Sequence, residues 1–468
     1  ICNMIVTRYA PSPTGYTTSA NLRTALFNYL FAKKYDSVFY CRIEDSDEKR
    51  FHQKAIGYMK DVFDWCNLEF THSPFNPNDG VEYYQSKRDY SKYIKKLLAD
   101  GNAYYAFDTA EDLEMASKNN VMYNYVNRHL FKNSLHMPKE TCDKLIADGT
   151  PYVIRIKIDP NQEIVLNDLV LGRVIFNTSN IDEKVLVKSS GMGSYHLMHV
   201  CDDYEMGTTH VMRGSEWVSS YPIHHMLWHY LDLPMPEYAH LPLLLSPDGK
   251  GKVSKRSAFK NKYEIFPLEC SEEVDGELKT FKGFKGLNYE PIAYLNFLAL
   301  LGHHYENDCM SMQEMIDNFD IKNISVSPAI FNVEKLDFIN RHHLLELPHD
   351  ELWKRFPNID KNIYSEANQV WIMELALMRA ITYLDLKDTF EIFFNFDYDI
   401  VHNVKEETKQ NLKDFFTTSK KALDILSTKT NKKDLRLILT NKEKGVELHN
   451  ILSILDFDEV LKRVQKYI

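Results

Sequence analysis

Arg8-Tyr9-Ala10-Pro11-Ser12-Pro13-Thr14-Gly15 joins a cation to a proline-rich turn that runs into a helix start. A helix N-terminus offers backbone N–H groups to phosphate, and an arginine at a strand end can clamp a carboxylate with two parallel bonds. Arg42-Ile43-Glu44-Asp45 puts acids at the end of the next strand, where Glu44 can accept bonds from an ammonium group. Ligands of open α/β sheets bind beyond the carboxyl ends of strands, so Arg8 and Glu44 share one crevice. An opposed cation and anion there suit a zwitterionic amino acid. Gly249-Lys250-Gly251-Lys252-Val253-Ser254-Lys255-Arg256 sets four cations on a glycine-hinged loop, which suits a mobile cover over polyphosphate. Lys252 and Lys255 can neutralise charge that develops as pyrophosphate leaves. The fourth group is Tyr195-His196-Leu197-Met198-His199, then Asp202-Asp203, then Arg213-Gly214-Ser215-Glu216-Trp217. Read as a strand, it puts Tyr195 and His199 on one face and into one pocket. Each segment alone has a plainer reading: a βα turn with a surface arginine, an acidic strand end, a solvated hairpin tip, a core tyrosine.

The elements that hold these segments follow from periodicity and punctuation. Residues 5–10 read as a strand, ended by two prolines that remove backbone donors. A helix is expected from about Asn21, with Leu22, Ala25, Leu26, Tyr29 and Leu30 on one face and Lys33 and Lys34 in the last turn. Residues 38–43 read as the next strand, so the unit opens a nucleotide-binding α/β sheet. Within 101–188, β-rich runs at 152–158, 164–171 and 174–176 alternate with a polar helical stretch, the pattern of an insertion. Residues 195–200 and 210–212 are expected to return to the sheet as strands. Residues 242–256 form a strand leading into the lysine loop, and from about Ser327 the pattern is helical and lysine-rich.

Composition bounds the rest. At roughly 150 residues per domain, 468 residues suggest about three domains. Hydrophobic content of 44% and charged content of 26% exclude a disordered or fibrous chain. The net charge of −10 means that any nucleic-acid partner must meet local basic surface, and residues 405–436 carry nine Lys/Arg against five Asp/Glu. Seven scattered cysteines, Cys2, Cys41, Cys66, Cys142, Cys201, Cys270 and Cys309, make no Cys-x-x-Cys pair and fit a reducing, cytoplasmic setting. No apolar run reaches the ~20 residues of a membrane span, and the start at Ile1-Cys2-Asn3-Met4 has no secretory pattern. His225 and His229 sit four apart, but Met226 follows His225, so the zincin pattern is absent. No cysteine cluster offers structural zinc, and no Walker loop occurs.

In order and spacing, these segments resemble the glutamyl-tRNA synthetases, class I aminoacyl-tRNA synthetases, of the bacterial type. The resemblance covers nearly the whole chain: residues 8–15, Arg23 to Leu30, Arg42 to Asp45, Tyr152-Val153-Ile154-Arg155, Tyr195-His196-Leu197, Val200 to Asp203, Arg213 to Trp217, Leu243 to Arg256 and Leu461-Lys462-Arg463. It implies an α/β fold: a Rossmann-type parallel-sheet catalytic domain (1–100 and 189–240) with an inserted acceptor-binding domain (101–188). A connector with the Lys252 to Arg256 loop (241–326) and an all-α anticodon-binding region (327–468) follow. It also implies a cytoplasmic, monomeric enzyme that ligates L-glutamate to tRNA(Glu) through glutamyl-adenylate, using ATP with Mg2+ and no zinc. By match to family positions, Arg8, Ala10, Ser12, Glu44, Tyr195, His199 and Arg213 line the glutamate pocket. Thr18, Asn21, Trp217, Leu243, Leu244, Leu245, Lys252 and Lys255 face ATP. Lys252, Ser254, Lys255 and Thr18 carry the catalytic roles, which are positioning and charge stabilisation with no side-chain nucleophile.

Two departures stand out. Where the family has a His-Ile/Val-Gly-Gly-like signature, this chain reads Thr18-Ser19-Ala20-Asn21, and His199 stands at a usual asparagine. Loss of one preorganised charge-stabilising donor costs about 10²–10³ in rate. The alternative is therefore a catalytically impaired paralogue that still binds tRNA or glutamate.

Overall fold

Val6–Tyr9 is a fully buried strand, and Val38–Cys41 lies parallel to it with Arg8 opposite Tyr40. The helix Ser19–Lys34 connects them and buries Leu22, Ala25, Leu26 and Leu30, the face its spacing predicts. Lys33 and Lys34 occupy its last turn. This computed structural model describes residues 4–78, 80–418 and 423–468. The start at Ile1 to Asn3, with Cys2, and two lysines of the basic stretch, Lys420 and Lys421, lie outside the described residues.

Two compact units divide the chain, one of residues 1–287 and 294–333, the other of 288–293 and 334–468. In the first, a four-stranded sheet runs in the order Gly172–Asn177, Glu163–Asp168, Glu237–Leu241, His210–Gly214. The last two strands are parallel, with Arg213 opposite His240. The Thr209 N–H donates to the Val6 carbonyl, which sets the opening strand against this sheet. The hairpin Glu163–Asp168 and Gly172–Asn177 belongs to the stretch read as an insertion, yet it extends the parallel sheet, with Asp168 opposite Tyr238. Ala103–Ala106, Val153–Ile156 and Val185–Val187 form a separate antiparallel sheet.

One expected element is corrected. Residues 195–200 are not a strand but the start of the helix Tyr195–Glu205. Ser194, in extended backbone, precedes it, and Leu197, Met198, Val200 and Cys201 pack in the core. Tertiary packing overrides the β-leaning tyrosine and valine. Tyr195 and His199 still share a face, because residues four apart in a helix lie one above the other.

The second unit is helical, from Val333–Leu345 to Phe457–Val464, around a core that includes Leu352, Ile372, Phe390, Leu412, Ile438 and Val460. No helix of the described residues is long and apolar enough to cross a membrane.

Candidate active site

A cavity of about 690 Å³ opens beyond the carboxyl ends of Val6–Tyr9, Val38–Cys41 and His210–Gly214. Arg8, Ala10, Ser12, Thr18, Asn21, Glu44, Tyr195, Arg213, Trp217 and Lys255 all line it. Backbone bonds hold the proline loop in place: the Glu44 N–H donates to the Pro11 carbonyl at 2.9 Å and the His52 N–H to Pro13 at 2.7 Å. Prolines cannot satisfy one another, so the loop is fixed by its neighbours.

Beneath the cavity floor the charges are dense and paired. Arg8 donates through Nε and Nη2 to the two oxygens of Asp203, at 3.0 and 3.2 Å. Arg42, fully buried, donates to Asp203 at 2.8 Å and to Glu44 at 2.9 Å. Burial alone raises a carboxyl, but Arg8, Arg42 and His199 outweigh it and hold Asp203 well below the carboxylate range. At Glu44 burial prevails over Arg42 and Arg8, so its carboxyl is raised. Asp202 is held by Gln85 at 2.9 Å, Arg88 at 2.7 Å and Tyr90 at 2.9 Å.

Arg213 is different. It is 4% exposed, and among the described residues no carboxylate pairs with it. Its Nε–H donates to His240 Nε2 at 3.0 Å and its Nη1–H to His224 Nδ1 at 2.9 Å. His199 Nε2 and the Tyr195 hydroxyl are each 3.4 Å from Nη1. Tyr195 packs against Trp217, with ring centroids 4.3 Å apart, and against His199 at 5.5 Å. Because guanidinium only donates, the imidazole nitrogens facing it must accept. Burial agrees: it lowers His196 to about 4 and His199 to about 3, and depresses His224 and His240 too.

The family described as tRNA synthetases class I (E and Q), catalytic domain, matches residues 4–267. The glutamate–tRNA ligase of Phocaeicola vulgatus is 36% identical over 98% of this chain and 97% of its own. That of Flavobacterium johnsoniae is also 36% identical, over 98% of each chain. The crystal structure of a glutamate tRNA ligase from Elizabethkingia meningosepticum in complex with its amino acid is 31% identical. It superimposes with a TM-score of 0.88 over 99% of both chains. The chain belongs to the glutamate–tRNA ligase family of class I tRNA synthetases.

In this synthetase the altered signature is a helix cap. Thr18 is the N-cap of Ser19–Lys34; its hydroxyl and its N–H both donate to Asn21 Oδ1, at 2.9 and 3.1 Å. Ser19 is buried, donating to the Ile265 carbonyl at 2.8 Å and lying 2.7 Å from the Tyr294 hydroxyl. The Thr18 proton is thus engaged inside the protein rather than offered to the cavity. Thr18→Ala should cost about 1 kcal/mol of stability, the loss of a side-chain cap, with the charging kcat within about twofold of the parent. Denaturant unfolding and steady-state charging check this together; a large kcat loss would return a phosphate role to the hydroxyl.

The remaining predicted residues fall apart from the cavity lining. Leu244 and Leu245 form a short strand parallel to Ala329–Ile330, and Leu243 precedes it. Lys252 is exposed on the loop, and Ser254 caps the helix Lys255–Asn261 by accepting from the Ser257 N–H. His199 is fully buried behind Tyr195. Asp168, His224, His240 and Glu272 escaped sequence reading, since only the fold brings them to Arg213 and Lys255. Among the described residues no cluster of three His, Cys, Asp or Glu side chains is placed to hold a metal ion.

The neutral histidines set a pH dependence. Unfolded, each titrates near 6.5, whereas burial lowers His196 to about 4 and His199 to about 3. Below about pH 6.5 the unfolded chain binds protons that the folded chain refuses. Their contribution is complete above that pH and shrinks as pH falls toward the folded values. Unfolding free energy should therefore drop by roughly 1 kcal/mol per pH unit for each of the two between about pH 6 and 4. Urea unfolding at stepped pH measures it, and a flat profile would contradict neutral burial.

Proposed function

We propose that this chain activates L-glutamate with ATP, forms glutamyl-adenylate with release of pyrophosphate, and transfers the glutamyl group to tRNA(Glu). The observation that carries this reading is Arg213, a buried cation at the cavity wall with which no carboxylate of the described residues pairs. Transferring an unpaired charge into a protein is costly, so the site is completed by an anionic ligand. Glu44, lining the same cavity, suits the ligand's ammonium group, and Trp217 offers a flat face to a nucleobase. Glutamate attacks the α-phosphate through its own carboxylate, and the protein contributes position and charge. Lys255 lines the cavity on the phosphate loop and balances the departing pyrophosphate. Mg2+ enters with ATP as part of the substrate, and no protein ligand is assigned to it. Lys405, Lys413, Lys429, Lys432 and Lys433 are exposed and offer the local basic surface that an RNA needs on a chain of net charge −10.

The test is charging of a tRNA(Glu) transcript with labelled glutamate and ATP, with Thr18→His in parallel. Glutamate-, ATP- and tRNA-dependent product from the parent supports the reading. The Thr18–Asn21 cap favours one second reading, a paralogue with impaired catalysis, because it occupies the positions of the ATP signature. No product from the parent and clear gain in the histidine variant would establish that instead.

A further inference from the structure

Arg8 pairs with Asp203, and Arg42 with Asp203 and Glu44, whereas the Arg213 donors are met by imidazoles. The difference has a chemical consequence. A carboxylate that satisfied the Arg213 donors would also cancel its charge. A neutral imidazole satisfies a donor and leaves the charge available to a ligand.

The hydrogen-bond partners determine the proton positions. Asp168 Oδ2 lies 2.6 Å from His240 Nδ1, and a carboxylate facing a neutral imidazole accepts. The proton of His240 therefore sits on Nδ1, and the Nε2 lone pair is left for the Arg213 Nε–H. Asp168 is itself fixed, accepting from the backbone N–H groups of Val170 and Leu171 at 2.9 Å each and from that of His240. The arrangement starts at the turn of the hairpin Glu163–Asn177, outside the cavity lining, and ends on the guanidinium that faces the cavity. The Tyr221 and Tyr238 rings pack against His240, with centroids at 4.9 and 6.1 Å, so the imidazole has little freedom to rotate. The Arg213 guanidinium also lies over the Tyr238 ring at 5.0 Å.

We propose that Asp168 and His240 are positioning residues for Arg213: they orient its guanidinium toward the carboxylate of the amino-acid substrate while leaving its charge uncompensated. The inference rests on the reading of Arg213 as a glutamate-binding residue. His224 supports the second edge in the same way, passing its own N–H toward His196 Nδ1 at 3.1 Å. A guanidinium released from Nε can swing toward the floor carboxylates, and misplacement on the scale of an ångström is worth about 10²-fold in catalysis.

The experiment compares His240→Leu, His240→Gln, Asp168→Asn and Arg213→Met in steady-state charging, with KM for glutamate and for ATP measured separately. His240→Leu is expected to raise the glutamate KM roughly 10- to 100-fold while the ATP KM stays within about twofold. His240→Gln should recover most of that loss, because its amide oxygen can accept from Nε–H while its NH2 donates to Asp168. Asp168→Asn should raise the glutamate KM severalfold with kcat retained. A residue that only supported the fold would shift both KM values or the stability alone, and glutamine would rescue no better than leucine; either result overturns the proposal. An unchanged glutamate KM in His240→Leu beside a raised one in Arg213→Met overturns it while the pocket reading survives. If Arg213→Met also leaves the glutamate KM unchanged, the pocket reading falls and this inference with it. Should the leucine variant fail to fold, Asp168→Asn decides alone, and an unchanged glutamate KM there counts against the proposal.

Discussion

Arg213→Met is expected to raise the glutamate KM by about 10²–10³-fold and to leave the ATP KM within about threefold of the parent. The magnitude follows from what methionine removes. Methionine fills much of the same volume, so the neighbouring side chains keep their packing. The ligand carboxylate, however, loses its charged partner inside a largely desolvated wall. Truncating one member of a buried, hydrogen-bonded charge pair costs about 2–5 kcal/mol, much of it from the charge left behind. On the proposed reading the loss falls on the anionic amino acid, because ATP would meet other cations of the cavity, including Lys255. His224 and His240 lose a donor in this variant but are neutral, so no new charge is buried. The parent and variant are compared by varying glutamate at saturating ATP and then ATP at the highest glutamate attainable. Equal rises in both constants would mean a general disruption, and an unchanged glutamate constant would remove Arg213 from the pocket.

How far the sequence led depends on the range of each interaction. The opening strand, helix and strand were legible because periodicity, two prolines and terminal lysines are local signals. Arg8, Glu44, Tyr195 and Arg213 were legible as a set through their resemblance to family motifs, and they do line one cavity. Tyr195–Glu205 was misread because tyrosine, histidine and valine lean toward strands, while the evidence for a helix lies in what its faces pack against. Asp202 and Asp203 stand in the sequence among the candidate site residues, with no local sign of the partners that they meet. They are buried because arginines more than a hundred positions away arrive beside them. The same reason hid Asp168, His224 and His240: neither the histidine of the helix Tyr221–Tyr230 nor that of the strand Glu237–Leu241 gives a local sign of the arginine that it will face. Thr18 and Asn21 carry a local signal of their own. A threonine followed three residues later by asparagine before an apolar run is a capping pattern, and local cap chemistry uses both side chains.

Lys255→Met should lower kcat for charging by about 10²–10³-fold, with a small effect on the glutamate KM, because on the proposed reading Lys255 acts on charge that appears only as pyrophosphate departs. The lysine is held near the cavity before any phosphate arrives. Its Nζ lies 2.9 Å from Glu272 Oε1, which also accepts the Tyr16 N–H at 3.1 Å. A Cβ at Gly15 would stand 3.2 Å from that Nζ and 3.4 Å from Glu272 Oε1, so the proline loop meets the Lys255–Glu272 pair at this glycine. Glu272 is an anion in contact with the groups that a phosphate would contact, a lysine and a backbone N–H. ATP must therefore take Lys255 from Glu272, and the two side chains should give opposite results on mutation. Glu272→Gln weakens the competitor and should lower the ATP KM severalfold with kcat retained, whereas Lys255→Met removes the transition-state cation and should lower kcat. Steady-state constants for both variants, with thermal unfolding as a check that the pair is not needed for folding, separate the roles. A Lys255→Met enzyme with near-parental kcat would show that charge on the leaving pyrophosphate is balanced elsewhere. In a chain whose Thr18 proton is already engaged by Asn21, that balance would then have to come from another cation of the cavity, with Arg50 and Lys188 in its lining the first to replace.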